Sequence, residues 1–308
     1  GSYNIALGKG ALHSNTTASN NTAVGYKAGF SNTTGDGNAA FGYQAFLDNT
    51  TGVNNTAIGY EANANNTTGN YNVSLGLQSL LNNTTASNNI ALGYQALTAN
   101  TTGEINVAVG KALGTNTTGG NNIGIGFASL NFNTTGSQNV AMGRDALRSN
   151  STASNNTAVG YQAGYSNTTG ADNLFSGYFA GYANTTASNN ISLGSSALRF
   201  NTTGSLNVAV GTTALFSNTT AGYNTAVGYQ AGYAYNGALG SNTYVGFQAG
   251  QNSTGDSNTF VGARVISSGK GCGQDMTTGA KNTILGAYSG NQGGLDIRTS
   301  SNHIVLSD

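Results

Sequence analysis

The strongest constraint on this chain is a unit copied along it at a step of 17 residues. Asn15, Asn32, Asn49, Asn66, Asn83 and Asn100 each open an N-T-T triplet, and every step between them is 17. Asn116 follows after 16, and Asn133, Asn150 (as N-S-T), Asn167, Asn184, Asn201 and Asn218 resume the step of 17. A short fixed period means one supersecondary unit that cannot bury its apolar face alone and must stack on its neighbours. The 308 residues, which by length would make about two ordinary domains, read instead as one repetitive architecture.

Asn20 to Asp36 serves as the reference unit, N-N-T-A-V-G-Y-K-A-G-F-S-N-T-T-G-D. The glycine after its first apolar run recurs from Gly8, Gly25 and Gly42 to Gly211 and Gly228, with looser copies at Gly246, Gly262 and Gly286, giving 17 units. Each apolar run is short, rich in Val, Ile and Thr and bounded by Gly and Asn, which predicts a strand. No stretch keeps a 3.6-residue period. The Y-x-A-[L/G] run that follows predicts a second, weaker strand, and N-T-T-G a turn. Two strands and two turns per unit predict an all-β parallel β-solenoid, a β-roll of about 17 short coils stacked at about 4.8 Å per rung, roughly 80 Å in all.

The third and fifth positions of the unit, such as Ile90 and Leu92, lie on one strand face. The position between them is small: Ala6, Ala23, Ala40, Ala57, Ala91, Ala108, Ala141, Ala158, Ala209 and Ala226, with Ser74 among them. Persistent smallness implies close approach of another backbone. That neighbour is either the other wall of a flat coil or a second subunit. A 17-residue coil encloses little, so the Tyr26, Tyr43, Tyr60, Tyr94 ladder and the Phe30, Tyr165, Tyr182, Phe216 series call for cover from other chains, and a homo-oligomer is expected.

Composition excludes several classes. Charged residues are 6% of the chain, ten basic and ten acidic, so it has no basic footprint for nucleic acid and no polybasic tract or apolar run for a membrane. Forty-seven glycines without a G-X-Y period exclude collagen. Cys272 is alone, which reads as an incidental loop thiol or a cross-link between chains. His13 and His303 lie at opposite ends of the sequence, so no catalytic arrangement is expected. Acidic residues are scattered singly, and Asn and Thr stand where a calcium-binding roll would need Asp. No enzyme activity, cofactor or metal is expected.

The N-T-T asparagines form a structural ladder in this reading, with amides bonding from rung to rung. The same triplets are N-glycosylation sequons, so these asparagines are also candidate acceptors. A third reading, ice binding by a column of threonines, needs a flat exposed array, whereas these threonines fall in a turn. Residues 1–239 are expected to hold the regular repeats. Residues 240–308 are expected to hold irregular repeats, an inserted loop at Gly269 to Thr278 and a cap or transition segment. There Tyr244, Phe260, Ile284 and Ile304 are expected at the close-packed position. The opening Gly1, in place of Met, is the expectation for a processed or excised portion.

With the N-x-A-[V/I/L]-G cores laid out (Asn21 to Gly25, Asn55 to Gly59, Asn89 to Gly93, Asn156 to Gly160, Asn224 to Gly228), the chain resembles the head repeats of trimeric autotransporter adhesins (YadA-like heads). It is also similar to the related repeats of bacteriophage tail fibres. The match covers essentially the whole chain. Those heads usually have shorter units and no regular N-T-T ladder. The resemblance implies a left-handed parallel β-roll and a homotrimer along a common axis. It further implies an extracellular fibre on a cell surface or virion that binds a host-cell or surface glycan or protein receptor. The last residues, Ser300 to Asp308, look like the segment that leads into the C-terminal region of some phage fibres. The expected role is thus a structural and adhesive fibre, with a self-assembling extracellular filament as the alternative.

Overall fold

The computed structural model describes residues 1–262, 264 and 269–307. It divides into two compact units, Gly1–Ser154 and Asn155–Asp308. Each is an all-β parallel solenoid, and no helix occurs among the described residues. The first unit stacks nine three-residue strands, from Ile5–Leu7 to Val140–Met142. The second stacks eight, from Thr157–Val159 to Thr283–Leu285, followed by Ile304–Leu306 and preceded there by an antiparallel hairpin, Asn291–Gln292 with Leu295–Asp296. The Ile304–Leu306 rung escapes a count based on glycines because Ser307 follows it. Pairing is in register, so that Thr22, Ala23 and Val24 lie against Ala39, Ala40 and Phe41 of the next rung.

The glycine ending each strand is required twice over. Gly25, Gly42, Gly59 and Gly76 have φ between 134° and 139°, a region open essentially to glycine alone. A Cβ on Gly59 would also lie 2.5 Å from the carbonyl oxygen of Gly76 on the next rung. Stacked backbone leaves no room for a side chain at this corner.

The second strand expected in each coil does not form. After the glycine the chain runs through turns, because two residues spaced by two adopt left-handed φ: Gln78 at 53° and Leu80 at 54°, Gln95 at 51° and Leu97 at 53°. Such alternation is incompatible with a pleated strand. The wall is nevertheless paired between rungs, since Gln78 N donates to Tyr60 O and Leu80 N to Ala96 O, both at 2.9 Å. N-T-T-G closes the coil without a left-handed glycine. Asn49 Nδ2 instead donates to the carbonyl of Gly52 at 3.1 Å.

The small column points into the coil. Ala23, Ala40, Ala57, Ser74, Ala91, Ala108 and Ala141 are buried, while Ala6 on the first rung is exposed; in the second unit Ala158, Ala209 and Ala226 are buried. The close neighbour is the opposite wall. At Gly124, a glycine in this column, a Cβ would meet Ala112 Cβ at 3.2 Å and Leu113 Cγ at 3.3 Å. Leu80, Leu97, Leu113, Leu130 and Leu147 fill the facing column. Where the strand residue grows, the facing one shrinks. Phe175 replaces Ala and faces Gly181, whose Cβ would lie 2.2 Å from the Phe175 ring. The 16-residue unit loses one residue of the turn wall, while its asparagine bond, Asn116 Nδ2 to Asn100 Oδ1 at 2.9 Å, is kept.

The C-terminal coils keep the strand and change the filling. Tyr244, Phe260 and Ile284 occupy the inward strand position and are fully buried. Ile304 does not share it. Val305 pairs with Ile284, and Ile304 is 79% exposed. His303 takes the asparagine place before the strand, its N–H donating to Asn282 Oδ1, and this sets the register one residue later. The stretch Gly269 to Thr278 is mostly not a loop: Gly250 N donates to Cys272 O and Gly273 N to Tyr288 O, so the turn wall has resumed there. Residues 263, 265–268 and 308 of the C-terminal segment lie outside the described residues.

Candidate functional site

Each unit presents a largely apolar surface, the outward face of its strands, with threonines such as Thr22, Thr56, Thr225 and Thr243 among the apolar side chains. With the small residue pointing in, the residues on either side point out. In the first unit they form two columns, one including Val73, Ile90, Val107 and Ile123, the other Ile58, Leu75, Leu92 and Val109. These side chains are half-buried or exposed; Leu75, for example, is 47% exposed. A third column follows the strand-ending glycine: Tyr26, Tyr43, Tyr60, Leu77, Tyr94, Lys111, Phe127 and Arg144. Its rings stack from rung to rung, Tyr26 on Tyr43 at 5.2 Å and Tyr43 on Tyr60 at 4.9 Å between centroids, close to the rung repeat of about 4.8 Å. Its cations lie near neighbouring rings, with Lys111 Nζ 5.6 Å from the Tyr94 centroid and the Arg144 guanidinium 5.9 Å from that of Phe127. In the second unit Tyr161 stacks on Tyr178 and Tyr229 on Phe247.

The N-T-T asparagines lie inside. From Asn32 to Asn150 in the first unit and Asn167 to Asn218 in the second they are buried; Asn15, on the first rung, is half-buried. Within each unit, after its first ladder asparagine, Nδ2 donates to Oδ1 of the asparagine one rung earlier, as Asn49 does to Asn32 at 2.6 Å, Asn66 to Asn49 at 2.9 Å, Asn83 to Asn66 at 2.7 Å and Asn133 to Asn116 at 2.8 Å. Asn184 bonds Asn167, Asn201 bonds Asn184 and Asn218 bonds Asn201 in the same way. Asn100 donates to Asn83 and to the carbonyl of Gly103. The use of the ladder asparagines from Asn32 to Asn218 as glycan acceptors does not fit this fold, because their side chains are enclosed and a glycan would need Nδ2 at the surface.

A second asparagine column, not singled out among the candidate residues above, runs alongside. Asn21, Asn38, Asn55, Asn72 and Asn89 precede the strands and are buried. Asn38 N donates to Asn21 Oδ1 at 2.8 Å, and Asn21 Nδ2 donates to Gly35 O, which also accepts from Asn32. One carbonyl thus ties both ladders together. The invariant asparagine before each apolar run was the available signal for it.

The histidines and the cysteine are far apart in the sequence. His13 stacks on Phe30 at 4.8 Å. Cys272 is enclosed in its coil, where burial pushes the thiol up to about 12, and so it does not serve as a cross-link between folded chains. Glu61 beside Tyr60 raises the Tyr60 hydroxyl above its usual range. Among the described residues no three His, Cys, Asp or Glu side chains gather as a metal site, and no helix is long and apolar enough to cross a membrane. Comparison with protein-family models, curated proteins and solved structures finds no match.

Proposed function

We propose that this chain is a shaft or head segment of an extracellular fibre, assembled as a homotrimer through the outward faces of its strands. The observation that carries this reading is the apolar column on the outward strand face of each unit, continuous from Leu7 to Met142 in the first and interrupted at Ser176 in the second. Burying a half-exposed Val, Ile or Leu contributes on the order of 1 kcal/mol. In the first unit the outward positions carry mostly Val, Ile and Leu, with Phe41 and Met142 among them, and together they reach the upper part of the ~4–15 kcal/mol that association costs. A few rungs alone would not. The repeat therefore makes association favourable through length, and adhesion follows from many weak contacts along the fibre. Location on a cell surface or virion, and a surface glycan or protein as the target, belong to the same proposal. So does the absence of enzymatic chemistry, supported by the separation of His13, Cys272 and His303 along the sequence.

The threonines favour a fibre over an ice-binding face. The first of each pair is used internally, as Thr50 Oγ1 donates to Thr67 O and Thr67 Oγ1 to Thr84 O. Only the second, such as Thr51, Thr68 and Thr85, is exposed, which makes a single file. A self-assembling filament is the second reading, and it requires mass that grows with concentration. Light scattering on the purified chain tests the proposal. A sharp mass of three times the 30.9 kDa chain is expected. A monomer overturns it, and polydisperse growing species favour the filament.

A further inference from the structure

The last coils of the second unit line a half-open cavity. It measures about 570 Å³ and is lined by Asn252, Lys270, Asp275, Asn291, Asp296 and Arg298, among others. That size falls in the usual range of small-molecule sites, about 300–1,000 Å³, but such sites are mostly apolar. Here four of the chain's ten basic and ten acidic residues converge on one space. The concentration is notable in a chain of so little charge.

The charges are held in fixed pairs. Lys270 Nζ donates to Asp275 Oδ2 at 2.7 Å, and the same oxygen accepts from Ser289 Oγ at 3.0 Å. Arg298 donates from Nε and Nη2 to the two oxygens of Asp296 at 2.9 and 2.7 Å. The arginine holds the Asp296 carboxyl below its usual range. Pairing cancels the net charge and leaves directional capacity: Arg298 Nη1, two further N–H groups of Lys270 and the second lone pairs of the carboxylates. The exposed amides of Asn252 and Asn291 make no side-chain hydrogen bond among the described residues. Thr277 Oγ1 donates to Arg298 O at 3.1 Å, anchoring the backbone beneath the arginine.

We propose that this cavity binds a neutral saccharide. Its walls offer both donors and acceptors, without net charge, and are more polar than apolar. A ligand that fits must carry hydroxyls on all sides, and a sugar ring does. An anionic ligand would find each cation already engaged by a carboxylate, and an apolar one would leave the polar walls unpaired. The proposal rests on the fibre reading, whose target includes a surface glycan, and gives that target a place; it is read out separately, since solution mass reports assembly and ligand binding reports the cavity.

Saturation-transfer NMR on the full chain tests it, with glucose, galactose, mannose, N-acetylglucosamine and glucuronate as probes. Transfer to at least one neutral sugar is expected. Asn252→Ala and Arg298→Ala should each weaken that binding by about tenfold, the effect of losing one good hydrogen bond, with thermal unfolding unchanged. If Arg298→Ala disturbs the coil, Asn252→Ala decides alone, because its side chain is exposed and unbonded. No transfer to any neutral sugar overturns the proposal. So does transfer that survives both substitutions, or transfer to glucuronate only.

Discussion

In the coils from Asn167 to Asn218 the residue that closes the turn is an asparagine, bonded to its copies above and below. In the coils that follow, the same place is held by Tyr235, Ser253 and Met276, each placed by its backbone N–H donating to a carbonyl three residues back. The regular coils thus join rungs with a polar ladder and fill the remaining space with Ala and Leu. The last coils give up the ladder and pack Tyr244, Phe260 and Ile284 instead. A ladder of identical amides works only between identical neighbours. Where it stops, one group is left over, and Asn218 Oδ1 is buried without a hydrogen-bond partner. Tyr235 turns its hydroxyl to Asp256 at 2.5 Å, and Asp256 also accepts from the backbone of Gly240. Regularity gives length, and ending it requires a different core.

Several substitutions break or sharpen this contrast. The largest effect is expected where both kinds of coil share a need. Gly76→Val places a branched side chain at φ 134° against the carbonyl of Gly93 and should cost more than about 4 kcal/mol in denaturant titration, since strain and overpacking add. In the last coils Phe260→Ala empties a buried site and should cost about 3–5 kcal/mol. In the regular coils Asn83→Leu orphans a donor on Asn100 and an acceptor on Asn66, at about 1–3 kcal/mol each. Ser253→Ala, at the matching place past the ladder, should cost less than any of these. Equal costs for Asn83→Leu and Ser253→Ala would show that the ladder is not what joins the regular rungs.

Asn63 offers a test in the opposite direction. It sits in the column otherwise filled by Leu80 and Leu97, fully buried, with neither side-chain atom hydrogen-bonded. Asn63→Leu should raise stability by about 1–3 kcal/mol, read as a higher midpoint of unfolding. A loss would mean that the amide is used.

The smallest effect expected is on alkaline stability. Burial, the largest cause, raises the Tyr235 and Tyr244 hydroxyls well above the ordinary 10.0. Below pH 10 both states keep these protons, so stability is fully present. Above it the unfolded chain loses them while the folded chain retains them, and stability falls with rising pH. The regular coils bury no tyrosine. Hydrogen exchange at rising pH should therefore show the last coils opening first. Simultaneous opening of both kinds of coil would refute the link.

Much of the fold was legible because a period of 17 leaves little freedom. The N-x-A-[V/I/L]-G run marked each strand, and the small column marked a close approach. The turn wall was misread as a strand because Gln78 and Leu80 give no sign of left-handed φ; that conformation is imposed by the need to return the chain within a few residues. Ile304 was misplaced because the apolar run Ile304 to Leu306 reads equally well in either register, until His303 takes the asparagine place.

The sequence by itself determined the repeat and the strand in each unit, because these depend on local patterns that stacking repeats. Only the tertiary structure decided which way the patterns face. It turned the alanines inward and the valines and tyrosines outward, enclosed both asparagine columns, and drew Asn252, Lys270, Asp275, Asp296 and Arg298 around one cavity. The reason is geometric. A three-residue strand shows two faces of nearly equal character, and which one is covered depends on the wall that folds back against it.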